Sequence, residues 1–122
     1  MRVIHAALGW GIVGAFGVLW LWGLGLWILR RQPNRGFWWI VAFVQAGLLL
    51  QAVAGMLLVI LGGRAPGLHY VYGIIFPVLV LLVAHVLARD AFAHRPWVPF
   101  AAAAFFSFGL TLRALMTGLG YN

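Results

Sequence analysis

Two stretches of the chain set a histidine in the same surroundings: IHAALG at positions 4–9 and LHYVYG at positions 68–73. In each, an apolar residue precedes the histidine and a glycine follows four places later, on the same face of a helix. A neutral imidazole is a strong metal ligand, and two at one depth can clasp the iron of a flat cofactor. Ligation from both sides favours low-spin electron transfer over oxygen binding. His5 and His69 are therefore the candidate ligands of a haem b. Gly9 and Gly73, lacking side chains, would let a porphyrin lie close to the backbone.

Other polar residues fall around this pair. Gln51, in GLLLQAVAG (47–55), is flanked at helical spacing by Gly47 and Gly55. Arg113, in GLTLRALMT (109–117), is flanked in the same way by Gly109 and Thr117. Arg113 could pair with one haem propionate and Arg64 with the other, through charge-assisted bonds. Tyr70 and Tyr72 would line the same edge. Each residue also has a plainer reading. A histidine at the end of an apolar run is often only interfacial, and glycines in such runs serve helix contacts. Gln51 serves equally as interhelical hydrogen-bond glue, and Arg113 could snorkel to the surface. His85 lies sixteen residues beyond His69, about 24 Å along a helix. A second haem there would need another ligand, for which His94 is the candidate. Otherwise His85 is a hydrogen-bonding core residue or a quinone-site donor, and His94 a solvated loop residue.

The elements that must position these groups are apolar runs. Four are long enough for the roughly 20 residues a bilayer core requires: 3–29, 37–61, 68–88 and 97–119. RRQPNRG, GGRAPG and RDAFAHRP separate them, each rich in helix-breaking or charged residues. Connections this short force neighbouring helices antiparallel. The expected fold is all-α: one domain over 1–122, an integral-membrane four-helix bundle running up-down-up-down. Pro77 is expected to distort the third helix. Trp38, Trp39, Trp97 and Tyr121 sit at span ends, as an aromatic belt does. The first run is too long for a signal-peptide core and lacks a small-x-small cleavage site, so it is expected to remain as structure.

Composition agrees. The chain is 66% hydrophobic and 7% charged, against roughly 45–50% apolar residues in soluble domains. A soluble protein this short could not hide so much apolar surface. The net charge of +7 comes from eight arginines and one aspartate. The arginines cluster at span ends, which points to lipid headgroups and away from nucleic acid. Arg30, Arg31, Arg35, Arg89 and Arg95 fall on one side; Arg2, Arg64 and, if it reaches the surface, Arg113 fall on the other. The positive-inside rule then puts both termini outside the cytoplasm of a bacterial inner membrane. With no cysteine, disulfides, thiolate nucleophiles and iron–sulfur clusters are excluded. No carboxylate lies within a run, which disfavours a proton-coupled exporter. Ser107, Thr111 and Thr117 have no paired base and acid, so no catalytic constellation emerges.

The two halves also resemble each other. IHAALG matches LHYVYG, GLLLQAVAG matches GLTLRALMT, and LRRQ (29–32) matches LARD (87–90). This reads as a duplicated two-helix hairpin, over about 1–61 and 65–122, related by an axis along the membrane normal. Helices 1 and 3 then run in one direction, and His5 and His69 share one level near the non-cytoplasmic surface.

Four helices with paired histidines resemble the small b-type membrane cytochromes such as the cytochrome b561 group. That resemblance implies haem and electron transfer, and its members use two haems with four ligands, one histidine more than the spans here supply. LHYVYG followed by LRALMTG (112–118) is also similar to short, uncharacterised four-helix bacterial membrane proteins, over most of the chain. The leading expectation is a haem-b electron-transfer protein that exchanges electrons with membrane quinone. The alternative is a non-catalytic accessory subunit of a respiratory or photosynthetic complex, binding lipid, quinone or pigment, as a homo-oligomer or within a larger assembly. A small-molecule transporter is the weakest.

Overall fold

The computed structural model describes residues 2–118. Tyr121, the expected last residue of the fourth span and the side chain of Arg2 lie outside the described residues. Among those described, every regular element is helical. Helix α1 covers Arg2–Leu29 and α2 covers Arg35–Ile60. The third span is composite: α3 over Gly67–Tyr70, a π-helical turn over Val71–Ile75, and α4 over Phe76–Arg89. Helix α5 covers Trp97–Gly118. Four stretches are long and apolar enough to cross a membrane: Val3–Leu29, Arg35–Ile60, Gly67–Arg89 and Trp97–Gly118. All four expected runs are present, with boundaries moved by no more than two residues.

The boundaries have local causes. After α1, Arg30 adopts a left-handed conformation, φ 54°, and Pro33 cannot continue a helix. Asn34 then caps α2, its Oδ1 accepting the Phe37 N–H at 3.3 Å. This satisfies one of the N–H groups a helix start leaves unpaired. At the far end of α2, Gly62 takes φ 98°, a left-handed value that suits glycine.

The π turn has a cause as well. Pro77 has no N–H, so it cannot donate to the Gly73 carbonyl four residues back. The chain answers by widening the turn just ahead of it, where the Phe76 N–H donates to Val71, five residues back. The expected distortion therefore lies directly before Pro77.

Helix α1 packs on both α2 and α5, and the third span packs on α5. The interior is built from Ile12, Phe16, Leu19, Phe37, Val44, Leu48 and Trp97. Trp22, Trp38 and Trp97 meet the Phe37 ring edge-on, with centres 5.8, 5.6 and 6.4 Å away. Small residues let α5 approach closely. Its buried face carries Ala103, Ala104, Ser107, Thr111, Ala114 and Thr117, and a Cβ on Gly23 of α1 would collide with Ala101. Close approach through small side chains is how helices pack where lipid is the solvent. Large apolar residues such as Trp39, Phe43, Leu49 and Leu82 face outward, as a lipid environment permits.

Candidate functional site

His5, in the first turns of α1, and His69, on α3, come together. Their ring centres are 5.9 Å apart and their planes are inclined at 69°. Each ring lies against a glycine of another helix. A Cβ on Gly55 of α2 would come within 3.1 Å of the His5 ring, and one on Gly118 of α5 within 2.8 Å of the His69 ring. Both helices thus leave out a side chain where an imidazole needs the space.

The hydrogen bonding differs between the two. Nδ1 of His69 sits 2.7 Å from the Ala114 carbonyl of α5. A carbonyl only accepts, so Nδ1 carries the proton and Nε2 keeps a free lone pair. His5 has no such tether: its Nδ1 is buried without a partner. Its backbone carbonyl instead accepts from Nε2 of Gln51 at 2.7 Å. The Oε1 of Gln51 is buried and unpaired.

The remaining expected site residues divide. Gly9 is at the site, but Gln51 and Leu115 occupy the space beside it. Gly73 lies one turn from His69, with the Ala114 Cβ 3.5 Å from where a Cβ of its own would sit. Here both glycines serve helix contacts. Arg113 is half-buried on α5, beside the carbonyl that holds His69. Arg64 is exposed and donates to the Val59 and Gly63 carbonyls at 3.4 and 3.0 Å, closing the end of α2. Tyr72 packs edge-on against Phe76 and Tyr70 against His69, with ring centres 5.9 Å apart in both pairs.

His85 belongs to another place. It is exposed on α4, its Nε2 2.7 Å from Oε1 of Gln45 on α2, with its ring against Phe100. Gln45 in turn donates from Nε2 to the Val41 carbonyl at 3.2 Å. The amide is thereby oriented, and His85 donates from Nε2. This link between α2 and the third span was not anticipated from sequence. The only signal was that Gln45 and His85 are strong polar groups in neighbouring spans. Ala114, Thr117 and Gly118 also went unread, because a backbone acceptor and a missing side chain leave little mark in sequence.

An apolar groove of about 470 Å³ runs past Trp20, Phe76, Leu79, Phe105, Phe108 and Gly109; neither His5 nor His69 lines it. Among the described residues, no three or more His, Asp or Glu side chains gather as a metal cluster would require. No protein family, curated protein or solved structure matches the chain.

Proposed function

We propose that the protein is a b-type cytochrome-like electron-transfer protein of the bacterial inner membrane, holding haem b between His5 and His69 and exchanging electrons with membrane quinone. In this reading the four helices run up-down-up-down as two repeated hairpins. Both termini face away from the cytoplasm, and the arginine-rich loops at 30–35 and 89–95 face towards it.

The observation that carries the reading is the facing pair of imidazoles. Two imidazoles bonded to one metal at about 2.0–2.1 Å each would have their ring centres within roughly 6 Å of one another. The spacing of 5.9 Å meets that requirement. Donor count supports it further. A zinc-type site asks for three or four protein ligands, and only two converge here. An iron porphyrin would bring the remaining nitrogen donors itself and would ask the protein for two, His5 and His69. The donor pair fits the group; the space beside Gly9 and Gly73 is taken by Gln51, Leu115 and Ala114, so those glycines would not seat the ring.

When bound, the group supplies one-electron chemistry at iron. His69 presents Nε2 because Ala114 holds Nδ1. His5 has no hydrogen bond at Nδ1, so no contact at that nitrogen fixes its tautomer. Arg113 lies at the same level, and the one side-chain carboxylate, Asp90, is already paired with Arg89 at 3.1 Å. Arg113 is thus available for a propionate, whereas Arg64 would have to exchange its backbone contacts.

Absorption spectroscopy tests this. The purified protein should show bis-histidine b-type Soret and α bands, which His5→Ala and His69→Ala each abolish and His85→Ala retains. A wild-type protein that stays colourless after reconstitution with haem sinks the reading.

One observation favours a second reading, the accessory subunit. Gly11 and Gly14 are exposed on α1 with nothing within 4 Å of where a Cβ would stand. Such notches suit close contact with another membrane helix. Co-purification of a stoichiometric membrane partner, with no pigment on the isolated chain, would establish it.

A further inference from the structure

The Ala114 carbonyl receives two side chains. His69 Nδ1 lies 2.7 Å from it, and the Thr117 hydroxyl donates to the same oxygen at 2.9 Å. Thr117 is fully buried, so water does not compete for that hydroxyl. Gly118, one residue on, is the glycine against which the His69 ring rests. Three successive features of α5 thus converge on one imidazole: an acceptor, a hydroxyl that shares the acceptor, and a gap for the ring.

We propose that Thr117 is a positioning residue that sets the electron-donor strength of His69 through the shared Ala114 carbonyl, making the two histidines unequal ligands. The proposal rests on the haem reading for its redox consequence, though not for the contact itself. An imidazole whose far N–H is hydrogen-bonded is a more basic ligand, and more basic axial ligands favour the oxidised metal. The hydroxyl of Thr117 draws density from the oxygen on which His69 depends, and so moderates this effect. His5, with no partner at Nδ1, receives no such help and is the weaker donor. Removing the Thr117 hydroxyl should therefore strengthen the His69 bond and widen the inequality.

Two variants and two readouts test this. Thr117→Val keeps the shape and removes the hydroxyl; Thr117→Ser keeps the hydroxyl and removes a methyl. In haem-loaded protein at a fixed potential, Thr117→Val should raise the ferric-to-ferrous ratio roughly three- to fivefold, the scale of a modest change in one hydrogen bond. Thr117→Ser should stay near wild type. In protein without haem, nitrogen-15 NMR of labelled histidine should show the His69 Nδ1–H resonance moving downfield in Thr117→Val and unmoved in Thr117→Ser.

Equal behaviour of the two variants, in either readout, overturns the proposal. A wild-type protein that binds no haem but shows the NMR shift defeats the haem reading and the ligand role, while leaving Thr117 as the residue that tunes His69. Normal haem bands with neither shift defeat the inference alone.

Discussion

The two ends of the histidine pair are built from matching sequence and wired in opposite directions. At His5, a side chain of the even helix reaches back: Gln51 donates to the His5 carbonyl. At His69, the odd helix reaches forward, and the imidazole itself donates to α5 backbone. Gln51 and Arg113, which hold matching places in GLLLQAVAG and GLTLRALMT, differ in chemistry. A neutral amide can lie flat against Gly9 and bond across to α1. A guanidinium could donate in the same way, but its charge makes it costlier to place among apolar helices. On the other side it is His69 itself that makes the interhelical bond, to the Ala114 carbonyl. The two imidazoles thus differ: His69 has a fixed tautomer and His5 does not.

This contrast can be broken in stages. The largest effect is expected from filling the gaps behind the rings. Gly118→Ala would put a Cβ 2.8 and 2.9 Å from two atoms of the His69 ring, whereas Gly55→Ala comes within 3.1 Å of one atom of His5. Overpacking of this kind costs about 1–3 kcal/mol. Haem titration should show roughly tenfold weaker retention for the α5 variant, and less for the α2 variant. An equal loss in the two would mean that the ring positions are interchangeable.

Replacing Arg113 with the residue at the matching place in GLLLQAVAG comes next. Arg113→Gln removes a charge that would cost about 2.5–3.5 kcal/mol at the centre of a span and less this near its end. Thermal stability in detergent should hold or rise while haem retention falls several-fold. A fall in both would assign Arg113 a structural partner instead.

Smaller still is Gln51→Leu. It loses the bond to His5 but also removes a buried unpaired Oε1, so unfolding should shift by no more than about 0.6 kcal/mol, the mean worth of a hydrogen bond between membrane helices. His85→Ala should cost a similar amount through loss of the Gln45 link, with haem bands unchanged. Altered bands in that variant would tie the two polar sites together.

Much of the architecture was legible in sequence because membrane helices obey coarse rules. Span length follows bilayer thickness, and RRQPNRG, GGRAPG and RDAFAHRP punctuate without ambiguity. The His5–His69 meeting was legible too, through matched spacing in the two halves. What sequence could not give was rotation about each helix axis. Spans this apolar on every side carry little signal for which face is inside, so the partners of Gly9, Gly17 and Gly23 could not be assigned. Phe108 proved to face Gly17, and Ala101 to face Gly23. The partner of His69 was invisible for another reason: it is a backbone carbonyl, and an alanine marks its place.

The wide turn at Val71–Ile75 also acts as a gear between the two ends of the third span. The interior side of α4 is marked by Pro77, Leu81 and Ala84. At about 100° per residue, an unbroken helix would turn His69 roughly 80°, 120° and 60° away from these three. One additional residue in a turn takes about 100° of that back, leaving His69 within roughly 40° of all three. The slip that Pro77 forces on the backbone is therefore what aims the imidazole at its counterpart. Closing that turn to ordinary α spacing with every residue kept, as Pro77→Ala would allow, would swing His69 out of the interior and towards the acyl chains.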